Sequence, residues 1–420
     1  MTVATLRRGW CPSALRPMPT GDGLLVRLRL GGHSLLPALA RGLAEAARRF
    51  GNGLIDLTSR GNLQLRGISE ETHEPLLAHL SDLGLPDADP ATDAIRNIVA
   101  SPLAGLTGFG AHLDIRPIVA ALEERLAKEP RLSALPAKYS FLIDDGGWPS
   151  LAEIDADLRF EARSIRGEGV FKIGRDGTAR TAVDMARCAP GKVPELAIRA
   201  ALQLCELPVH FDDDGGPSRD ESQDVTGPPP IHKTWPRQPI GLFRGTQGET
   251  LLGLGVTFGR LSASSLELLA AAAEDLSCEA LRLTPWRALL LPIGNEAKLP
   301  TWLARLAAEG FIDDPADPRV AIAACPGAPS CASATTPTQD DALRLAPVAR
   351  RLAQHGIGLH VSGCAKGCAC RDRVPVTLVA DGGLYGLVRN GKAQDPVCGT
   401  FMPIDAMEKM LENLTATAAS

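Results

Sequence analysis

No excess of basic residues marks this chain: 44 Lys and Arg stand against 49 Asp and Glu, for a formal net charge of -5. That balance argues against a nucleic-acid binder, whose footprint would be a basic excess, so any anionic ligand must be met by local clusters. No stretch approaches a membrane span, and the opening MTVATLRRGW has no apolar signal core. The expectation is a cytoplasmic protein with no membrane or nucleic-acid partner, whose thiols stay reduced. Gly-rich stretches such as GLTGFGAH, from Gly105 to His112, lack the G-x-G-x-x-G turn of a dinucleotide fold. Any electrons must then arrive from a separate protein. Aromatic residues make up only 4% of the 420 residues, yet hydrophobic residues reach 45%, enough for two to four compact domains with substantial cores.

What is present is cysteine in an informative arrangement. Cys325 and Cys331 in CPGAPSC form a C-x5-C pair, and Cys364 and Cys368 in SGCAKGC form a C-x3-C pair about thirty residues later. Two loops thus offer four thiolates, the supply a cubane [4Fe-4S] cluster needs. Structural zinc usually takes C-x2-4-C knuckles, which the wider pair with two prolines inside fits less well; unligated thiols are the other alternative. Cys370, two residues beyond Cys368, could reach a metal, although a spare thiol is the plainer reading. Cys205 and Cys278 sit in apolar helical patterns as small buried hydrophobes. Cys11 and Cys398 have no assigned role.

The chain is also a duplication. The segment from Leu24 to Ile68 is echoed from Leu251 to Gly294: a short alternating strand, an Ala/Leu-rich helix with i, i+3, i+4 apolar spacing, then a second strand ending near Thr58 or Thr284. Further on, Val99-Ala100-Ser101-Pro102 matches Ala323-Ala324-Cys325-Pro326. FKIGRDGTA around Asp176-Gly177 matches YGLVRNGKA around Asn390-Gly391, both read as tight hairpin turns. The second copy has the cysteines where the first has Ser101, so one half is expected to bind metal and the other a different ligand. Between them DDDGGPSRDESQDVTGPPP, from Asp212 to Pro230, reads as a solvated linker.

Duplicated halves with CPx4C and GCxxxC segments in the second resemble the sulfite and nitrite reductase superfamily. The opening RRGWCPSALRPMPTGDGLLVRLR and the late HVSGCAKGCAC are most similar to its precorrin-3B synthase branch. The resemblance runs from about Arg8 to about Lys392. It implies an α+β, pseudo-twofold duplicated fold of two ferredoxin-like half-domains and two larger α/β lobes. The expected segments are 1–90 (first half-domain with its N-terminal arm), 91–211 (first substrate-binding lobe), 212–235 (linker), 236–315 (second half-domain) and 316–420 (cluster lobe).

By the same resemblance Cys325, Cys331, Cys364 and Cys368 hold a [4Fe-4S] cluster, Cys368 in the place that bridges to sirohaem iron in the reductases. The branch's reaction is a monooxygenation of precorrin-3A at C20 with O2 and γ-lactone formation, fed by a separate NAD(P)H-dependent reductase or small electron carrier. An additional non-haem iron is associated with it. His112 and Asp114 have suitable chemistry, but Asp114 reads better as a helix cap, and catalytic residues stay unassigned. A polycarboxylate substrate calls for permanently charged donors; the candidates are Arg27, Arg29, Arg60, Arg96 and Lys138. Sulfite reductases generally carry a second lysine where this chain has Ser140, and sirohaem enzymes a proline-asparagine where it has Ala365-Lys366. Both departures favour the synthase over a sirohaem-dependent sulfite or nitrite reductase.

Overall fold

The structure, a computed structural model, describes residues 11–85, 95–136, 138–165, 168–206 and 238–418. The expected linker at 212–235 and the start of the opening motif, residues 8–10, lie outside the described residues.

The first copy of the repeat forms β1 (Met18–Thr20), β2 (Gly23–Leu28), β3 (Ser34–Leu35), α1 (Pro37–Phe50), β4 (Leu54–Leu57), β5 (Leu63–Ile68) and α2 (Glu70–Asp82). A first lobe follows, with β6 (Ile98–Ala100), α3 (Arg116–Ala127), β7 (Phe141–Asp144), β8 (Ala156–Ile165), β9 (Glu168–Gly177), β10 (Val183–Cys188) and α4 (Val193–Glu206). The second copy gives β11 (Gly241–Arg244), β12 (Thr250–Gly255), β13 (Arg260–Ser262), α5 (Ala263–Asp275), β14 (Leu281–Leu283), β15 (Ala288–Ile293) and α6 (Leu299–Ala308). Its lobe holds β16 (Ile322–Ala324), α7 (Thr338–Arg344), α8 (Ala346–Gln354), β17 (Leu359–Ser362), β18 (Val374–Asp381), β19 (Leu384–Gly391), β20 (Cys398–Met402) and α9 (Ile404–Ala418).

The duplication extends to strand order. Among the described residues the two small sheets run β1-β2-β5-β4-β13 and β11-β12-β15-β14-β3. Each half donates the strand preceding its long helix to the other half's sheet: Leu261 pairs Ile55, and Leu35 pairs Leu281. The chain reaches both donated strands through the same bend, left-handed at two consecutive residues: Gly32 and His33 (φ 59 and 55) in one half, Phe258 and Gly259 (φ 51 and 78) in the other. Helices α1 and α5 bury their apolar stripes in one shared core, where Leu43, Ala47, Leu266 and Ala270 are fully buried.

The lobe sheets repeat each other too, β6-β7-β8-β9-β10 and β16-β17-β18-β19-β20. In each the first three strands are parallel and the rest antiparallel. Asp176 and Asn390 do have positive φ (57 and 50), but they are not hairpin turns. They lie at the far ends of β9 and β19, where Gly177 pairs with Ala156 and Gly391 with Val374. The turn joining β18 to β19 is at Gly382-Gly383 instead. Cys205 is in α4 as expected, whereas Cys278 lies past the end of α5, beside Ser277 (φ 54), and is buried there.

Candidate functional site

Cys325 and Cys364 follow β16 and β17, adjacent parallel strands in which Ala324 pairs with Val361. Their carboxyl ends therefore deliver the first cysteine of each motif to the same edge, where open α/β sheets bind ligands. The Cys325 N–H donates to Val361 O at 3.3 Å, and the Gly363 N–H donates to Cys325 Sγ at 3.2 Å. Cys331 is turned back by its N–H to Gly327 O at 2.8 Å. Cys364 is pushed above the usual thiol range by burial, with the neighbouring thiols Cys331 and Cys325 adding to it. Cys368 stands within electrostatic reach of the other three. Four soft donors within electrostatic reach of one another, one already accepting a backbone N–H, fit the chemistry of a thiolate-held cluster, which spans more than a single ion.

The first lobe closes the equivalent corner differently. Ser101 N–H donates to Ile143 O at 3.1 Å, matching the Cys325 bond. Its hydroxyl donates to Asp144 Oδ1 at 3.2 Å and accepts the Asp145 N–H at 2.9 Å. Burial raises both carboxyls above their ordinary value.

The predicted basic residues lie on the first half. Arg27 is in β2 and Arg29 just after it; Arg60 sits in the turn after β4 that Thr58 and Gly61 close, with Gly61 at φ 65 against the His33 ring. Burial lowers Arg27 to about 10, opposed by a hydrogen bond to the Cys11 sulfur. Arg60 is lowered by burial and by the charges of Arg371 and Arg29, while Cys11 and Asp157 pull it up. Cys11, Arg27, Arg29, Arg60 and Arg371 therefore share one neighbourhood. Arg60 Nη2 also donates to Lys138 O at 3.2 Å, so Lys138 reaches this edge with an exposed side chain. Arg29 Nη2 donates to Asn97 Oδ1 at 3.3 Å and, with Arg96, Asn62 and Glu123, lines a small recess beside it.

Sequence reasoning missed two features. Arg371, directly after the cysteine loop, brings the second half's charge to the first half's cluster; its only signal was adjacency to Cys370. The other is a buried ion network. Arg66, 2% exposed, donates to Asp22 at 3.0 and 2.8 Å, to Asp56 at 3.1 Å and to Ser330 O. Arg260 from the donated strand binds Asp56 at 2.8 and 3.1 Å and Ser330 Oγ at 3.3 Å. Ser330 lies between Cys325 and Cys331, so the network fastens the C-x5-C loop to the first sheet. Arg29, Arg60 and Arg371 are brought together, whereas His112 and Asp114 are not drawn into a metal site. The Asp114 carboxylate accepts the Arg116 N–H at 3.1 Å and pairs with its guanidinium at 2.8 Å, but it lies one residue before Ile115, the residue in the N-cap position of α3, so it is not the cap expected. Among the described residues no three His, Cys, Asp or Glu side chains converge to hold a single ion, and no helix is long and apolar enough to cross a membrane.

Comparison with known proteins fits this geometry. The family model of the nitrite/sulfite reductase ferredoxin-like half domain matches residues 16–83 and 244–309, the two small units. The chain is 36% identical to precorrin-3B synthase of Sinorhizobium sp over 93% of its length and 85% of that protein's. It is 28% identical to ferredoxin–nitrite reductase of Synechococcus elongatus over 90% and 79%. The solved structure of the Mycobacterium tuberculosis NirA protein shares the fold with a TM-score of 0.73 at 19% identity, covering 94% of this chain and 81% of that one. With that identity across nearly its whole length and the duplicated small units matched one by one, the chain belongs to the precorrin-3B synthase family of oxidoreductases, built on the sulfite and nitrite reductase fold.

Proposed function

We propose that the protein is a monooxygenase that binds precorrin-3A between its halves and hydroxylates it at C20 with γ-lactone formation. One atom of O2 ends in the tetrapyrrole; the other leaves as water, taking up two electrons and two protons. The electrons come from a separate NAD(P)H-dependent reductase or small carrier. The observation that carries this reading is the meeting of Arg29 and Arg60 from the first half with Arg371 from the cysteine loop. Permanently charged donors from both halves suit a ligand bearing several carboxylates and hold it next to the electron source.

Cys325, Cys331, Cys364 and Cys368 would hold the [4Fe-4S] cluster, which supplies one-electron transfer when bound. Four cysteine ligands leave no open position, so dioxygen activation would call for an additional non-haem iron with exchangeable positions; among the described residues no three His, Cys, Asp or Glu side chains converge to hold such an ion. Arg27, Arg29, Arg60, Arg96 and Lys138, joined by Arg371, bind and orient the substrate's acetates and propionates.

Ser140 speaks against the sirohaem reductase alternative. It is buried, and its hydroxyl donates to Asp157 Oδ2 at 2.7 Å, so the position two residues after Lys138 offers a small dianion no charge. The deciding experiment is anaerobic purification, then incubation with precorrin-3A, labelled dioxygen and an electron donor. One labelled atom in the tetrapyrrole is expected. Sulfite or nitrite reduction with no label incorporated would replace this reading with the reductase.

A further inference from the structure

His360 lies on β17 and is 0% exposed. Its neighbours Leu359 and Val361 enter the core with α7, α8 and α9, so His360 points to the opposite face of the sheet. It is in register with Ala323 of β16 and Thr377 of β18. The cysteine loop runs across that face: a Cβ at Gly367 would sit 3.8 Å from His360 Cε1, with Cys370 O and the Ala393 side chain alongside. Neither ring nitrogen of His360 has a hydrogen-bond partner.

That is unusual for a buried imidazole, and the chain supplies its own contrast. His33, also buried, uses both nitrogens, Nδ1 with Gly61 O at 3.1 Å and Nε2 accepting the Ala100 N–H at 3.1 Å. None of the polar groups around His360 pairs with its ring. Thr377 Oγ1 donates to Gly391 O, Ser362 Oγ to Cys364 O, and Arg287 Nη2 to Ala369 O. Burial, with the charge of Arg287, pushes His360 down to about 4, so the ring is neutral and offers one N–H and one lone pair.

Resting on the cluster reading above, we propose that His360 is a positioning residue for the [4Fe-4S] cluster, its ring N–H donated to a sulfur of the cluster or of Cys368 once the cluster is in place. The orphaned donor lies under the loop stretch that carries Cys368, and a cluster sulfur is the acceptor the protein itself does not provide. Such a bond favours the more negative reduced cluster, because hydrogen bonds to the sulfurs help set the potential.

The test uses the anaerobically prepared holoprotein. Iron and sulfide analysis and the reduced-cluster electron paramagnetic resonance signal come first; with no cluster, the functional reading itself fails. Given a cluster, pulsed resonance on native protein carrying nitrogen-15 histidine should show a weak histidine coupling to the reduced centre. A redox titration of H360L should show the reduced form disfavoured about tenfold, a drop of about 59 mV for one electron, partly recovered in H360Q. An intact cluster without histidine coupling in the native protein overturns the proposal, and so does an H360L potential equal to wild type. If H360L does not assemble a cluster, the coupling measured on the native protein decides alone.

Discussion

Replacing Arg66 by methionine tests whether the first small sheet holds the C-x5-C loop in place. The guanidinium satisfies two carboxylates and one carbonyl, Asp22, Asp56 and Ser330 O, from a buried position. Breaking a buried pair by removing one partner typically costs about 3–5 kcal/mol, because it leaves uncompensated charge. Here the orphaned acids keep other partners: Asp56 retains Arg260, and Asp22 retains Thr20 Oγ1 at 2.8 Å and Asn52 Nδ2 at 3.1 Å. The expected loss is therefore at the lower end, about 3 kcal/mol, read by denaturant unfolding of the cluster-free protein. In the holoprotein the same variant should release iron to a chelator faster, since Ser330 loses one of its tethers to the first small sheet. The acid side adds a second readout. Burial by itself would raise the Asp22 carboxyl, but Arg66, with Thr20 and Asn52, holds it below its ordinary 3.8. A depressed folded-state value contributes stability that is fully present above the unfolded carboxylate range of about 3.9 and lost as pH falls through the folded value. The gap between wild type and R66M should thus be constant near neutrality and narrow below about pH 4. A variant within about 0.5 kcal/mol of wild type, with unchanged iron release, would refute the argument.

Single serine replacements of Cys325, Cys331, Cys364 or Cys368 should abolish or strongly deplete the four-iron centre, because hard oxygen replaces soft thiolate; C11S and C278S should retain it. Iron and sulfide analysis decides, and a full cluster in C364S would turn attention to Cys370. Arg60→Ala and Arg371→Ala should each weaken precorrin-3A binding by about 1.5–3 kcal/mol with the cluster spectrum unchanged; a binding titration showing no loss for Arg371→Ala would remove it from the site. Gly21→Ala should loosen the β1–β2 turn from the cysteine loop, because its Cβ would come 2.0 Å from Pro329 O, a backbone atom that cannot step aside cheaply. Limited proteolysis of the Cys325–Cys331 loop should be faster in that variant, and equal rates would mean the contact is dispensable.

The duplicated small units were legible because their signals are periodic. Alternating strands and Ala/Leu-rich helices leave a pattern in sequence, and both strands expected to end near Thr58 and Thr284 do so, at Leu57 and Leu283. The strand exchange was not legible: Ser34–Leu35 and Arg260–Ser262 are too short to carry a period, and nothing local states which sheet a short strand joins. The Asp-Gly and Asn-Gly pairs gave the right backbone angles and the wrong element, since positive φ also serves at strand ends. Arg66 reads in sequence as one more charge on a strand, and only its pairing with Asp22 and Asp56 turns it into an anchor. Ser140 was noticed as a missing lysine, but its bond to Asp157 could not be inferred from spacing.

The exchange bears on how the site is built. If each small unit closed its own sheet, the halves could shift about a surface contact, and the distance from the arginines to the cysteine loop would vary with that shift. Instead β13 completes the first sheet and carries Arg260 to Asp56, while β3 completes the second and carries Ser34 to Arg282. Separating the halves would expose backbone ladders on both sheets as well as the shared core. Arg260 is anchored at one end to Asp56 and at the other to Ser330, so the strand that ties the halves together is also the strand that fixes the cysteine loop. The proposed electron transfer and substrate orientation would each demand constant geometry between two sites, and the duplicated chain provides that constancy by making neither half complete alone.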